Sequence, residues 1–300
     1  MESPEGGIAV APGDAGSADS GEVAATGKVV VESLGTEPRR AFRYAVQVGT
    51  KETLAMNMHM DMRMTGAGPA QGVAPPKLPA VQMRSTFEAV RLTPDGHVIL
   101  HFQVDSTDAA DGGDPSTRAE LGRRMGQLVG MTGDYEVTDR GEVLRVSFTV
   151  PEGLDPTVAG MADQMQKSIR SLSTLFPEEA IGVGATWTYT RTLELPVMTV
   201  DSKLTYKLTQ LDDRGGTVEV AMILTAPPQQ MKTPVGGPRV MIDAMASKGH
   251  VTRRFDLHLP VPYSEDMETT SDDDMSFEVN GIVHPLRISM AMTMHVERAK

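Results

Sequence analysis

The sequence predicts a mainly β protein, α+β in class, organised as a duplicated antiparallel sheet with one bridging helix. Three observations carry that expectation. The first is Leu54 to Thr65, LAMNMHMDMRMT, in which Met56, Met58, Met60, Met62 and Met64 alternate with Asn57, His59, Asp61 and Arg63. A period of two is the strand period, so one face is all thioether and the other polar. The second is a shorter copy near the end, Ser289 to Val296, with Met290, Met292 and Met294 on one face. The third is a pair of similar amphipathic hairpins on either side of the clearest helical pattern in the chain.

In order, residues 1–27 are rich in Gly, Ala, Ser and Pro, and their only charges before Lys28 are acidic. Such a stretch buries too little apolar surface to order itself. Ala41 to Met64 reads as a strand pair or one long bent strand, with Val48-Gly49 at a turn or bulge. Gly66 to Pro79 is a Gly/Pro loop. Val81 to Leu92 is a strand, and Thr93-Pro94-Asp95-Gly96 is a β-turn. Val98, Leu100, Phe102 and Val104 then form the buried face of a hairpin partner. An acidic loop, Asp105 to Pro115, precedes a short amphipathic helix over Ser116 to Val129. Tyr135 to Val150 returns to strand, with a turn at Asp139-Arg140-Gly141. Asp155 as N-cap and Pro156 at the first helical position open the bridging helix. Val158, Met161, Met165, Ile169, Leu172 and Leu175 follow at helical spacing, and Pro177 ends it.

The second half repeats the first. Lys203 to Thr225 aligns with Ser85 to Thr107, placing Leu211 on Leu92 and Gly215 on Gly96, while Val183-Gly184 aligns with Val48-Gly49. The first copy is the longer by about the length of the Gly66–Pro79 loop. Ala226 to Pro238 is a connector, Tyr263 to Asp274 an acidic loop, and Ser276 to Glu278 and Arg287 to Glu297 close the strands. The expected organisation is a disordered acidic tail or tether over 1–40, a first β-unit over 41–153, a bridging helix over 154–177 and a second β-unit over 178–300.

Composition excludes several function classes. The net charge of −12 opposes nucleic-acid binding, which needs a basic stripe to neutralise phosphate, and opposes electrostatic anchoring on anionic lipid. The absence of cysteine removes thiol nucleophiles, disulfides, thiolate metal sites and iron–sulfur clusters. No apolar run reaches the roughly 20 residues of a membrane-spanning helix. The serines sit in no nucleophile-elbow or triad pattern, and no general acid/base pair stands out, so no enzyme and no cofactor are expected. Aromatic residues are scarce and the 21 methionines abundant, which makes the apolar surface unusually adaptable.

The alternating methionines, the turn "LTPDG", the helix ending in "LFP", the following "VGATWTYT" and the closing "ISMAMTMHV" resemble a family of bacterial proteins of unknown function, many of them predicted envelope lipoproteins. The resemblance covers roughly residues 40–298 and brings no active-site residues. It implies a curved antiparallel sheet with helices on its concave side, a half-barrel similar in outline to Lol-type lipoprotein carriers and other lipid-binding envelope proteins. It also implies the periplasm or cell surface, with the acidic tail as a tether behind a lipidated cysteine that this chain lacks.

The expected ligand-binding set is Met56, Met58, Met60, Met62 and Met64, with Met161 and Met165 from the helix, Met290, Met292 and Met294 from the last strand, and Trp187. The five-methionine ladder spans about 27 Å on a straight strand, as long as an acyl-chain segment. Methionine serves surfaces that must fit several apolar partners. The rival reading is a plain sheet core packed on the bridging helix, in a structural protein that binds another envelope protein. Soft-metal ligation by thioethers is disfavoured on one strand, because alternate residues stand about 7 Å apart and His59 faces away. His97 and His101 share the solvent side at about 13 Å. The acidic clusters lack the spacing of a calcium loop.

Overall fold

Alternating side chains settle most of the architecture. The computed structural model describes residues 27–66, 78–110, 112–151, 153–155, 158–160, 174–194, 198–231, 239–279 and 281–299. It is mainly β, one large antiparallel sheet that does not close into a barrel. The strands are β1 (Lys28–Ser33), β2 (Lys51–Gly66), β3 (Val81–Leu92), β4 (Val98–Ala109), β5 (Thr132–Val137), β6 (Val143–Thr149), β7 (Thr186–Glu194), β8 (Thr199–Leu211), β9 (Gly215–Ala226), β10 (Gln229–Gln230), β11 (Val240–Asp256), β12 (Ser264–Val279) and β13 (Ile282–Arg298). Helix α1 (Pro115–Gly126) lies between β4 and β5. Across the sheet the order is β1-β7-β8-β9-β11-β12-β13-β2-β3-β4-β5-β6, with β10 beside β11. The last strand therefore pairs with the first long one, and both halves share one sheet.

Cross-strand registers put a single apolar level through ten strands: Val31, Trp187, Tyr206, Val220, Val251, Met267, Met294, Met58, Val81 and Ala109 are successive partners. This core face carries two large buried clusters. One gathers Phe87, Leu100, Phe102 and Tyr135 with Met125 and Leu128. The other gathers Trp187, Tyr206, Leu208, Phe176 and Phe255. The segment 41–47 links them: Phe42 sits in the second, Val46 in the first, and Tyr44 packs against both. Its alternation reads as a strand, yet its backbone hydrogen bonds run to turns, from Tyr44 N–H to the Asp139 carbonyl at 2.6 Å and from Ala45 N–H to the Leu257 carbonyl at 2.7 Å. Period two reports which side chains point inward, not where the hydrogen bonds go.

Asp114 caps α1, accepting from the Thr117 N–H at 2.9 Å, with Pro115 opening the helix. Its carboxyl is held well below the usual range by hydrogen bonds from Ser116 and Thr117. Of the bridging helix, residues 158–160 are described and helical, and Ala159 N–H donates to the Asp155 carbonyl at 2.9 Å. Thr174 to Pro177 are irregular chain, so Leu175 and Phe176 reach the core from outside any helix, which corrects the expected helical run to Leu175.

Two further expectations need correction. Tyr263 to Asp274 is not an acidic loop but most of β12, bonded on both sides. Asp266, Glu268, Asp272 and Asp274 are exposed, while Met267, Thr269, Ser271 and Asp273 face the core side. Tertiary pairing outweighs the poor strand propensity of the acidic residues. Lys28 to Ser33, placed within the tail, is the edge strand β1 on β7. Six residues beside a Gly/Ala-rich stretch are too short for the pattern to stand out, and pairing with a partner about 160 positions away is invisible locally.

The hairpins aligned in the sequence share backbone details. Gly49 and Gly184 both take positive φ, 88° and 84°. Gly49 N–H donates to the Ala89 carbonyl at 2.7 Å and Gly184 N–H to the Leu208 carbonyl at 2.8 Å; the return bonds, Ala89 to Thr50 and Leu208 to Ala185, measure 2.9 and 3.0 Å. The registers slip between Ala89 and Arg91 and between Leu208 and Gln210, at aligned positions.

Candidate ligand-binding face

β2 and β13 run antiparallel with the two methionine ladders in register. Met58 pairs with Met294, Met60 with Met292, and Met62 with Met290; Val296 and Ile288 continue the face beside Met56 and Met64. On the other flank of β13, Met294 pairs with Met267, Met292 with Thr269 and Met290 with Ser271. All eight ladder methionines are half-buried, and the residues between them on β2 are exposed. Directly opposed side chains on one face stand about 4.5–5.5 Å apart at Cβ, so the ladders form a continuous thioether strip. Met58 packs against the first cluster and Met267 against the second. Met56, Met60, Met62, Met64, Met290, Met292 and Met294 belong to none of the three buried clusters formed by described residues.

Beside the strip the core face turns small and polar. Ser247, Ser271 and Ser202 are buried there, and Gly249 stands between Met222 and Thr269. A Cβ on Gly249 would meet the Met222 methyl and Thr269 Cγ2 at 2.8 Å each. Asp273 shares this face beside Ile288, and its carboxyl is pushed up by burial against the hydrogen bond that Ser271 donates at 2.7 Å.

Trp187 lies elsewhere. It is fully buried, stacked on Tyr206 at 5.2 Å and 2°, and its indole N–H donates to the Leu175 carbonyl at 2.8 Å. It anchors the second cluster instead of lining the strip. Met161 and Met165 lie outside the described residues.

The core face also holds polar groups that sequence reasoning passed over. Arg253 Nε donates to Glu265 Oε2 at 2.6 Å, with both side chains buried. The Thr174 hydroxyl stands 3.5 Å from the same guanidinium. Burial pushes the Tyr206 hydroxyl up to about 12 and raises Tyr44 and Tyr135 as well. The Tyr135 hydroxyl is buried without a hydrogen-bond partner among the described residues. A signal for the pair exists in the sequence: Val251, Arg253, Phe255 and Leu257 alternate onto the buried face, which puts an arginine in an apolar register.

The outer face is polar and carries clefts of its own. One of about 590 Å³ is lined by Asn57, Gln82, Arg84, Asp108, His295 and Glu297. A second of about 560 Å³ involves Lys28, Thr190, Asp201, Lys203 and Ile223. His97 and His101 pair with Glu136 and Asp134, each at 2.7 Å. His59 faces away from the methionines, 3.4 Å from Asp61. Among the described residues, no three His, Asp or Glu side chains are grouped to hold a metal ion, and no helix is long and apolar enough to cross a membrane.

His295 titrates with a defined sign. Its hydrogen bond with Asp266, at 2.6 Å, holds the imidazole above its ordinary value against a smaller desolvation effect. The stability from this pair is therefore full below the unfolded value near 6.5 and is lost as pH rises through the higher folded value. Both side chains are more than half exposed, so the contribution is small. Asp266→Asn is expected to lower the His295 midpoint in an NMR titration; an unchanged midpoint removes Asp266 as the cause.

No family model matches the chain, and neither a curated protein nor a solved structure is found to be similar to it.

Proposed function

We propose that this is a non-enzymatic cell-envelope protein that holds a lipid or another hydrophobic ligand along its methionine strip. The observation that supports it most is the in-register meeting of the two ladders, with seven of their eight methionines outside every buried cluster of described residues. A sheet core is ordinarily filled with β-branched and aromatic residues, which suit the pleat better. Unbranched thioethers suit a surface that changes partners. The energetics favour long chains. Burying one CH₂ yields about 0.8 kcal/mol, so about ten methylenes give roughly 8 kcal/mol, which offsets the lower half of the ~4–15 kcal/mol cost of association, and each further methylene adds to the gain.

The location belongs to the same proposal: periplasm or cell surface, with residues preceding β1 as a tether, in keeping with the resemblance to predicted lipoproteins. So does descent from a duplicated β-unit, supported by the matching turns and register slips of the two hairpins. The alternative is a scaffold for another envelope protein; among the described strands β1 and β6 end the sheet and offer their outer edges for pairing.

Native mass spectrometry of protein purified from a membrane-containing host, followed by organic extraction, tests the ligand. A bound acyl species at fixed stoichiometry, and uptake of a fluorescent fatty acid, are expected. A clean apo mass with no uptake overturns the lipid reading and leaves the scaffold.

A further inference from the structure

On a single strand, spacing opposes thioether coordination: successive methionines on one face stand about 7 Å apart. Pairing of β2 with β13 removes that obstacle. Met60 lies opposite Met292 and Met62 opposite Met290, which makes a rectangle of four methionines. Its short side is about 4.5–5.5 Å at Cβ and its long side about 7 Å. Each side chain has three rotatable bonds, so the sulfurs can swing inward by the roughly 2 Å each that convergence across the diagonal requires. At a metal–sulfur distance of about 2.3 Å, three or four sulfurs must lie within about 4 Å of one another. None of the four is part of a described buried cluster, and all are half-buried, so the sulfurs are neither locked in a core nor fully hydrated.

We infer that Met60, Met62, Met290 and Met292 form a site for a soft monovalent cation, Cu(I) or Ag(I). Neutral thioethers select such ions over Zn(II), Ca(II) and Mg(II), which prefer imidazole, thiolate or oxygen ligands. The chain brings no cysteine to compete, and its net charge of −12 attracts cations in general. Thioethers carry no proton to displace, so the binding is independent of pH, in contrast to histidine or thiolate sites. The ion is bound as supplied, with no change in oxidation state.

The site stands independently of the lipid reading, and leucine separates the two. Leucine keeps the apolar volume of methionine at little cost in stability and removes the sulfur. The full-length protein is titrated into the Cu(I)–bicinchoninate complex under ascorbate, at pH 7.5 and pH 5.5, beside the variant Met60→Leu/Met62→Leu/Met290→Leu/Met292→Leu. The wild type is expected to withdraw one Cu(I) from the chelator with the same protein-side affinity at both pH values. The variant is expected to bind at least about a hundredfold more weakly. Its thermal midpoint and fatty-acid uptake are read in parallel to confirm an intact fold and face. No withdrawal of Cu(I) by the wild type, or equal withdrawal by the variant, overturns the metal site.

Discussion

Arg253→Met, made with Glu265 in place, is expected to cost about 3–5 kcal/mol of stability, because it strands a buried carboxylate. The two groups meet at 2.6 Å on neighbouring strands, with the Arg253 side chain 7% and the Glu265 side chain 9% exposed. Water cannot replace the lost partner at that depth. Glu265→Leu alone is expected to cost a similar amount by leaving the guanidinium uncompensated. The double variant Arg253→Met/Glu265→Leu is expected to recover most of the loss and to match or exceed the wild type, since apolar replacement of a whole buried pair is often neutral or stabilising. Urea unfolding followed by Trp187 fluorescence reads the cycle. Single variants within about 1 kcal/mol of wild type would show a pair that is hydrated in solution.

Trp187→Ala is expected to destabilise by about 3–5 kcal/mol through the cavity it leaves, with a further ~0.5–1.5 kcal/mol from the lost stacking on Tyr206. The ring is fully buried between Phe176, at 6.2 Å, and Tyr206. Trp187→Phe separates the contributions. It keeps most of the apolar contact and leaves the Leu175 carbonyl without its donor, at a cost of about 1–3 kcal/mol. Unfolding followed by circular dichroism measures both, since the alanine variant has no tryptophan to report. Because this bond and the surrounding rings join Leu175 to β7, loosening of the 174–176 segment should accompany the loss and appear as faster amide exchange at Phe176, whose N–H donates to the Arg140 carbonyl. An alanine variant within about 1 kcal/mol of wild type would place the indole outside the core.

Much of the fold was legible in the sequence because strands announce themselves by alternation. Val81 to Leu92, its "LTPDG" turn and the partner beginning at Val98 stand where the pattern puts them. The apolar spacing over Ser116 to Val129 puts the start of α1 within one residue and its end three residues too late. The failures share one cause. Strand β12 carries too many carboxylates for local propensity to favour it, and it is a strand because β11 and β13 bond it on both sides. Strand β1 is six residues whose meaning depends on β7. Residues 41–47 keep the alternation of a strand without its ladder.

The candidate site divides in the same way. Period two fixed that Met56 to Met64 share one face, that Met290 to Met294 share another, and that His59 opposes the first. Those are consequences of the pleat and need no partner. Whether the two faces meet, and in which register, depends on how the last strand returns across the whole chain to pair with β2. Strand pairing is long-range, and a slip of one residue would turn every methionine to the outer face. The tertiary structure alone set Met60 against Met292 and Met62 against Met290. It also sank Trp187 into the core and brought Arg253 to Glu265, because burial is a property of what packs over a residue and the alternation says only which way it points.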